Sequence, residues 1–441
     1  MVGQLSLGMY VAELDRPWLE TPFKLQGFML KNQEQLIELS SLCSFVYIDI
    51  EKGIESPSLK PIALRSGMKV RSSQSAHVIP PAIYSFTRYS KSVESYKKDS
   101  NFYKVAAKVA QVQLGAQEAL KGVADSLSRG EVFDQLPIKK VASDIVACVI
   151  ENPDVMSWLG RIHESDHYTH DHCVRSATWA SVTARYLGVS RQEMTILVQA
   201  VLLKDVGTMR LPQHLLLKNE SDLSIEESRF YQKYVSLSVA LLQQVKGLDE
   251  QVLQVIQAHR ECYDGSGFPR GLTGDNIPLL SIIAHISSLY DSLVNPRNES
   301  KQCSPSDAMR QLHLLKNTLF QEDLVVDFNQ ALGLFPAGSV VELNTGELAV
   351  VIEQNNERKL RPVIFIMTDA QLMPLRKRIK IDLLTQARAP QHEESGRIDQ
   401  SLPELYIIRD LATNQCSADL LKLKKELFTG KRSVFSLLKR S

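Results

Sequence analysis

The stretch Ala-His-Arg-Glu-Cys-Tyr-Asp-Gly-Ser-Gly-Phe-Pro, residues 258–269, decides how the rest of the chain is interpreted. It follows an apolar run at residues 252–256, whose pattern predicts a helix that ends at His259. The next residues have the composition of a tight turn, because aspartate and glycine precede the closing Phe268 and Pro269. A histidine at a helix end beside a glycine-rich loop is typical of one wall of a binding site, although ordinary helices also stop in this way.

Two earlier stretches carry residue types that suit a site. One is Leu202-Leu203-Lys204-Asp205-Val206-Gly207, and the other is Tyr168-Thr169-His170-Asp171-His172. Histidine and aspartate are the side chains that bind divalent metals and transfer protons. The pair Lys204-Asp205 is open to two interpretations, a site residue pair or an internal salt bridge of a helical bundle.

The composition excludes few functions. With 44% hydrophobic and 23% charged residues, the chain of 441 residues has the composition of a globular protein of two or three domains. A net charge of +1 gives no bias toward nucleic acid. Six cysteines without a Cys-x-x-Cys pair indicate neither a zinc knuckle nor a disulfide framework. The N-terminus lacks a basic leader and no apolar run reaches ~20 residues, so we expect a cytoplasmic protein.

Periodicity divides the chain into five segments. Residues 1–60 predict a small α+β unit, and residues 61–137 predict a linker followed by a long amphipathic helix. Residues 138–335 have helical spacing almost throughout, which predicts a bundle with a site between its helices. Residues 336–387 carry hairpin signals, and residues 388–441 combine a polar linker with a basic amphipathic tail.

Two of these segments bear on partners. The helix predicted over residues 101–129 has one apolar face, which needs either the next domain or a second copy of the chain. A homodimer is therefore one prediction. The tail from Leu421 to Arg440 is basic and amphipathic. A solvated tail helix accounts for this pattern, and peripheral contact with a membrane surface is the alternative.

These motifs resemble the HD-GYP family, bacterial phosphodiesterases that open cyclic di-GMP at a metal centre. The resemblance covers roughly residues 140–335 and implies a mainly α fold. This fold is an HD-type helical bundle with a small α+β N-terminal domain and a β-hairpin-containing C-terminal appendage. The matching stretches beyond the namesake pairs are Leu211-Pro212, Leu215-Leu216-Leu217-Lys218, Leu223-Ser224-Ile225-Glu226-Glu227, Arg270-Gly271-Leu272, Ile277-Pro278-Leu279 and Tyr290-Asp291-Ser292-Leu293.

The chain departs from the family pattern at the positions that carry its chemistry. The family's His-Asp pair is Lys204-Asp205 here, and its Gly-Tyr-Pro is Gly267-Phe268-Pro269. Other ligand or substrate positions of the family are occupied by Thr208, Tyr234, Arg260, Ser288 and Ser300. The family arginine that contacts substrate is retained as Arg297. The metal ligands that remain are His172, Asp205 and His259.

This depleted set cannot form the two-metal clamp of the family, which needs ions about 3.5–4 Å apart. His172, Asp205 and His259 could hold at most one divalent ion of the iron, manganese or zinc class, and no other cofactor is expected. At ~5 Å and an effective dielectric of about 20, such an ion and Lys204 repel by roughly 6–7 kcal/mol. Neutralising a lysine near pH ~7 costs roughly 4–5 kcal/mol. Lys204 could therefore lose its proton, whereas Arg260 could not, and we expect Arg260 to exclude a metal more firmly.

Three functional hypotheses follow. The first is a degenerate HD-GYP protein of cyclic di-GMP signalling, a non-catalytic receptor or scaffold whose pocket binds an anion through Lys204, Arg260, Phe268 and Arg297. In that pocket Arg260 would pair with Asp205 or hold a phosphate. The second is a weak phosphodiesterase with one metal, in which Asp205 would be catalytic. The third is a structural adaptor without a ligand. The resemblance implies cyclic di-GMP or a related nucleotide as ligand and diguanylate cyclases of the GGDEF type as partners.

Overall fold

The structure is a computed structural model that describes residues 7, 9–14, 28–30, 32–43, 46–49, 96, 102–159, 168–218, 220–355, 358–386 and 405–416. It divides into two units, Met1–Pro81 and Ala82–Ser441. The predicted linker that follows residue 60, except for Tyr96, lies outside the described residues, as do the polar linker at 388–403 and the basic tail.

The described residues of the N-terminal unit form a three-stranded antiparallel sheet and one helix. Its elements are, in chain order, β1 (Tyr10–Leu14), β2 (Phe28–Met29), α1 (Gln33–Leu42) and β3 (Val46–Asp49). β1 lies between β2 and β3 in the sheet. The Asn32 side chain accepts the backbone N–H of Gln35 (3.0 Å) and so caps α1. The apolar core of the unit is formed by Met9, Val11, Leu14, Leu30, Leu39 and Cys43.

The second unit begins with a helical bundle. Its helices are α2 (Phe102–Ser128), α3 (Leu136–Glu151), α4 (Pro153–Leu159), α5 (Tyr168–Tyr186), α6 (Arg191–Leu203), α7 (Gln213–Leu216), α8 (Ile225–Tyr231), α9 (Tyr234–Leu242), α10 (Glu250–Ala258), α11 (Leu279–Val294), α12 (Pro305–Leu314) and α13 (Glu322–Leu332). Short 3-10 turns include Val206–Arg210, Glu220–Asp222 and Glu299–Lys301. The helical bundle predicted from the periodicity is confirmed. None of the helices in the described part is long and apolar enough to cross a membrane.

Helix starts follow from side-chain caps that are visible in the sequence. Ser190 accepts the backbone N–H of Glu193 (3.3 Å), and the Glu193 carboxylate accepts the backbone N–H of Ser190 (3.4 Å) at the start of α6. Ser224 and Glu227 form the same capping box at α8, and Ser304 caps α12. These caps satisfy N–H groups that have no partner within the first turn, so they set the helix boundary.

The long helix α2 packs its apolar stripe on the bundle itself. The buried side chains of this stripe are Val105, Ala106, Val109, Ala116, Leu120, Val123 and Leu127, and they share one core with α3, α4 and α5. The bundle is therefore the partner that the stripe needs within the chain. Leu114 belongs to the stripe by sequence pattern but is 62% exposed. Leu114 follows Val112 by two residues, which corresponds to a rotation of about 200° around the helix axis. The Leu114 side chain therefore points away from the face on which Val112 packs against the core.

α5 is the central helix of the bundle, with α2, α3, α4, α6, α11 and α13 as neighbours. Because it is covered on all sides, it buries nearly every side chain between Cys173 and Ala184, polar ones included. The hydroxyls of Thr178 and Thr183 donate to carbonyl oxygens one turn earlier, at 3.0 Å and 2.9 Å. A helix in this position places ionisable side chains away from water.

The backbone after α6 passes very close to α9. The Ser238 hydroxyl donates to the carbonyl oxygen of Lys204 (2.7 Å) and accepts the backbone N–H of Gly207 (2.8 Å). A Cβ atom on Gly207 would lie 2.1 Å from the carbonyl oxygen of Tyr234. Glycine at this position therefore allows the close approach, which brings the end of α6 next to Tyr234.

A five-stranded antiparallel sheet follows the bundle, in the order β7-β6-β5-β4-β8. Its elements are β4 (Val340–Leu343), β5 (Leu348–Glu353), β6 (Val363–Thr368), β7 (Pro374–Asp382), α14 (Leu383–Gln386) and β8 (Ile407–Leu411). β4 and β5 form the hairpin that the sequence predicts. β8 falls within residues 388–441, which the pattern assigned to a linker and a tail. Its pairing with β4, remote along the chain, makes it a strand.

We predict opposite effects of alanine at two glycines. Gly207→Ala drives a methyl group into the backbone of α9, and overpacking of this kind lowers the free energy of unfolding by about 1–3 kcal/mol. Gly122→Ala in α2 meets nothing within 4 Å, so the better helix propensity of alanine should stabilise the protein by about 0.5–1 kcal/mol. Urea denaturation of both variants measures these changes. A Gly207→Ala protein as stable as the wild type would contradict the close approach.

Candidate functional site

Asp291 on α11 is fully buried and organises the base of the candidate site. Its Oδ1 accepts the Nε–H of Arg175 (2.9 Å) and the Nδ2–H of Asn295 (2.8 Å), and its Oδ2 accepts the Nδ1–H of His172 (2.8 Å). Burial alone would raise the pKa of Asp291, but Arg175 and His172 hold that pKa well below its usual range. The charged carboxylate therefore fixes the proton of His172 on Nδ1.

Lys204, which stands where the family has a histidine, is buried with 3% of its side chain exposed. Its ammonium group donates to Oδ2 of Asp205, and the thiol of Cys173 lies 3.6 Å from the same oxygen. Burial would raise the pKa of Asp205, but Lys204, followed by His172 and His259, lowers it to about 2. Asp205 is thus an ionised carboxylate that already has a cation from its own chain.

Both ring nitrogens of His259 are engaged. Nδ1 donates to the carbonyl oxygen of Ile256 (2.6 Å), and Nε2 accepts the hydroxyl of Tyr234 (3.0 Å). Burial and the charge of Lys204 lower the pKa of His259 to about 3, and burial raises the pKa of Tyr234 well above its ordinary value. Both groups are therefore neutral. The one lone pair that His259 could offer to a metal is used by the tyrosine that stands at a family histidine position.

Arg260 faces Glu220. Its Nη1 donates to Oε1 of Glu220 (3.0 Å) and its Nη2 donates to Oε2, while the guanidinium carbon lies 5.2 Å from the ring centroid of Phe268. No ion pair forms between Arg260 and Asp205, because Lys204 already occupies that carboxylate. Of the two contacts expected for Arg260, the pair with Asp205 is therefore not formed, and the stronger exclusion of a metal by Arg260 stays a prediction. Lys204 is the cation bound to the ligand carboxylate, and the charge of Arg260 is balanced elsewhere.

The glycine-rich loop is held from within by Glu261. Its buried carboxylate accepts the backbone N–H groups of Arg270 (2.7 Å) and Leu272 (2.8 Å). The backbone N–H of Phe268 donates to the carbonyl oxygen of Arg260 (3.1 Å). These bonds close the loop on itself and keep the ring of Phe268 against the guanidinium group.

Arg297 lies over the ring of Tyr168, the first residue of α5. Its guanidinium carbon is 4.6 Å from the ring centroid. The Tyr168 ring stacks on the His172 ring, with centroids 6.0 Å apart and planes 7° from parallel. Arg297 is exposed, and no ion pair holds it within the part of the chain that the structure describes. An exposed guanidinium group over an aromatic ring is an arrangement that can receive a phosphate.

The predicted metal ligands lie in one region but do not fit a metal ion. Asp205 is near enough to His172 and His259 that a proton on either imidazole lowers the pKa of its carboxyl. Among the described residues, no group of three or more His, Cys, Asp and Glu side chains could hold an ion. An ion would have to displace Lys204 from Asp205 and Tyr234 from His259.

The sequence identifies the replaced ligands but not their new partners. Tyr234 is visible as a replacement, yet its bond to His259 depends on how α9 meets α10. Arg175 offers a weak signal, because an arginine within the apolar part of a helix implies a buried carboxylate nearby. Glu220 offers no signal at all, since a glutamate in a polar loop is ordinary.

We predict that Asp291→Asn lowers the free energy of unfolding by about 3 kcal/mol, because it leaves the buried Arg175 with too little negative charge. Glu342→Gln is the matched control. It breaks an ion pair whose Arg409 side chain is 65% exposed, and it should cost less than about 1 kcal/mol. Urea denaturation compares the two variants. Equal losses would mean that the Asp291 network does not organise the site.

Acid should destabilise the protein through His285. Burial, followed by Arg260 and His259, lowers the pKa of His285 to about 3, whereas unfolding returns it to about 6.5. The unfolded state therefore binds the extra proton. The stabilisation that the neutral His285 contributes is complete above pH ~6.5. Below that pH it falls by about 1.4 kcal/mol per pH unit, until the pH reaches the pKa of His285 in the folded protein. Because of this, His285→Asn should flatten the fall in unfolding free energy between pH ~6.5 and ~5, and His214→Asn, at an exposed position, should leave it unchanged. The same slope in all three proteins would refute the assignment.

Comparison with protein families agrees with this architecture. Residues 158–324 match the model of an HD domain. Residues 1–134 match a domain of unknown function, and residues 340–389 match a KOW domain associated with the HD domain. The last match covers the strands from β4 to β7.

Curated relatives share most of the chain. A cyclic di-GMP phosphodiesterase of Pseudomonas aeruginosa is 27% identical over 372 residues, which are 84% of this chain and 85% of that protein. A cyclic di-GMP phosphodiesterase of Thermotoga maritima is 23% identical over 318 residues, or 69% of this chain and 84% of that protein. Among solved structures, an HDG"Y"P protein from Bdellovibrio bacteriovorus covers 53% of this chain and 74% of its own at 20% identity, with a TM-score of 0.45. The HD-domain match over residues 158–324 and these relatives support the resemblance of the chain to the HD-GYP family.

Proposed function

We propose that this protein acts in cyclic di-GMP signalling as a non-catalytic receptor or scaffold. Relatives that align with most of the chain are named cyclic di-GMP phosphodiesterases. The retained HD domain supports a nucleotide of this class as the ligand. The replaced and internally paired site residues support the loss of hydrolysis.

The contact between Tyr234 and His259 is the observation that carries the proposal. In a two-metal phosphodiesterase, histidine nitrogens must present lone pairs to the ions. The hydroxyl of Tyr234 takes the lone pair of His259 Nε2 at 3.0 Å. A single replacement thus removes one family ligand and occupies a second.

Lys204 supports the same conclusion. Its ammonium group stands on the carboxylate that would otherwise hold an ion or position water. An ion reaches Asp205 only if this buried lysine moves away or loses its proton. With a pKa of about 2, Asp205 is also a weak general base near neutral pH, so it would activate water poorly by itself.

Arg297 is the residue that best supports anion binding. Of the predicted ligand-binding residues, Lys204 pairs with Asp205 and Arg260 pairs with Glu220. Arg297 has no such carboxylate within the described residues and lies on the Tyr168 ring. We therefore expect a ligand phosphate to meet Arg297 first, and the ring of Phe268 to offer a stacking surface to a base.

The competing function is a weak phosphodiesterase with one divalent ion at His172, Asp205 and His259. The observation that favours it is the ionised Asp205 close to both histidines. In that case Asp205 would be the catalytic residue that positions water. A structural adaptor without a ligand is the third candidate, and the internal pairing of the site cations is compatible with it.

Partners and location follow from the sequence alone. A diguanylate cyclase of the GGDEF type, a homodimer, a cytoplasmic location and a weak membrane contact of the tail stay predictions. The core packing of α2 within its own chain removes the need for a second copy at its buried face.

Three measurements on the purified full chain separate the candidate functions. We expect no stoichiometric divalent metal by elemental analysis, no conversion of cyclic di-GMP in a hydrolysis assay and binding of cyclic di-GMP by calorimetry. Arg297→Ala should weaken that binding about tenfold, by the loss of one charge-assisted contact. Bound metal with turnover would establish the phosphodiesterase instead. Absence of metal, turnover and binding would leave the adaptor and contradict the receptor.

Restoring the family residues tests whether their replacement is what prevents metal binding. The combined variant Lys204→His, Tyr234→His, Arg260→His and Ser288→Asp should copurify with divalent metal. Tyr234→Phe is the matched control, because it frees His259 Nε2 without adding a ligand, and it should not bind metal. A restored protein without metal would show that these replacements are not what prevents metal binding.

A further inference from the structure

An acidic 3-10 turn, Glu220–Asp222, supplies carboxylates to cations from two different elements. Glu220 pairs with Arg260 at the end of α10. Asp222 pairs with Lys301 in the turn that follows α11. One short segment, named here the acidic turn, therefore neutralises two cations that the bundle brings from residues about 40 and 79 positions away along the chain.

The contact between Glu220 and Arg260 has the geometry with which an arginine holds a phosphate. Nη1 donates to Oε1 (3.0 Å) and Nη2 donates to Oε2, which gives two parallel bonds. The Nε atom of Arg260 is buried and has no acceptor among the described residues. The carboxylate lies across the edge formed by Nη1 and Nη2, so the Nε–H on the neighbouring edge is left for another acceptor, such as an oxygen of a second phosphate. The guanidinium group is therefore incompletely satisfied by its internal partner.

Lys301 likewise contacts both oxygens of one carboxylate of the acidic turn. Its ammonium nitrogen lies 3.1 Å and 3.2 Å from the two carboxylate oxygens of Asp222. The two side chains are 50% and 47% exposed. Water and salt therefore compete for this pair, and it can open without disturbing the core.

The acid is the partner that can leave. The Glu220 side chain is 48% exposed, whereas that of Arg260 is 23% exposed and lies on the ring of Phe268. If the acidic turn moves outward, Glu220 reaches water at once. Arg260 then stays in place with its donors available.

We propose that the acidic turn is an internal competitor, which occupies Arg260 and Lys301 until an anionic ligand with two phosphates displaces it. This inference rests on the proposed function, since it assumes that such a nucleotide enters the site. The turn presents two carboxylates to the two cations, as a cyclic dinucleotide would present two phosphates. Ligand affinity then reflects the difference between the phosphate and the carboxylate contacts.

Calorimetry of the full chain with cyclic di-GMP tests the competitor. The double variant Glu220→Gln with Asp222→Asn keeps the side-chain shapes and removes both negative charges. It should bind about tenfold more tightly than the wild type, which corresponds to about 1.4 kcal/mol. Glu226→Gln is the matched control, since it removes a nearby charge from α8 without breaking a described ion pair, and it should change affinity by less than about twofold. If the wild type binds cyclic di-GMP and the double variant binds it with the same affinity, the competitor is overturned and the receptor function stands.

Inorganic pyrophosphate is the second probe, because it carries two phosphates without the nucleotide. The double variant should bind it more tightly than the wild type, and adding Arg260→Gln and Lys301→Gln should abolish the gain. If this gain is present while no variant binds cyclic di-GMP, the competitor stands and the receptor function is wrong. If the double variant gains affinity for neither anion, the competitor is overturned.

Discussion

A charge inside the helical bundle needs an opposite charge from the same chain, and the candidate site depends on this constraint. Lys204 has only 3% of its side chain exposed, so leaving it unpaired would cost several kcal/mol. The neighbouring carboxylate of Asp205 meets the need. Arg175 and Asp291 solve the same problem between α5 and α11. The pairing that makes a buried lysine tolerable is also the pairing that withdraws the carboxylate from a metal.

The neutral members of the site follow a parallel rule, in which a buried hydrogen-bonding group needs a partner. The Tyr234 hydroxyl and the His259 imidazole satisfy each other without charge. Their meeting depends on how α9 packs against α10, and the contacts of Gly207 and Ser238 hold the end of α6 close to the same helix α9. The candidate site is therefore held together by contacts among its own residues. It is a set of complementary partners that is stable as it stands.

Three of the cationic side chains around the site therefore already have a carboxylate partner. At the base, Lys204 has its carboxylate, and toward solvent Arg260 and Lys301 have theirs from the acidic turn. Exposure rises from the base outward, so the strength of the pairing falls in the same direction. Arg297, on the ring of Tyr168, is balanced by an aromatic face instead of a described carboxylate.

The sequence by itself determined what depends on neighbours along the chain. Helix periods, the capping boxes at α6 and α8 and the hairpin of β4 and β5 involve residues a few positions apart. The residue types at the candidate site were likewise legible, whereas the role of His172, Asp205 and His259 as metal ligands stays a prediction. Only the tertiary structure decided which groups pair. Asp291 meets His172 across 119 residues, and β8 pairs with β4 in a segment whose pattern predicted no strand, because such contacts depend on how helices and strands pack and no local periodicity encodes that distance.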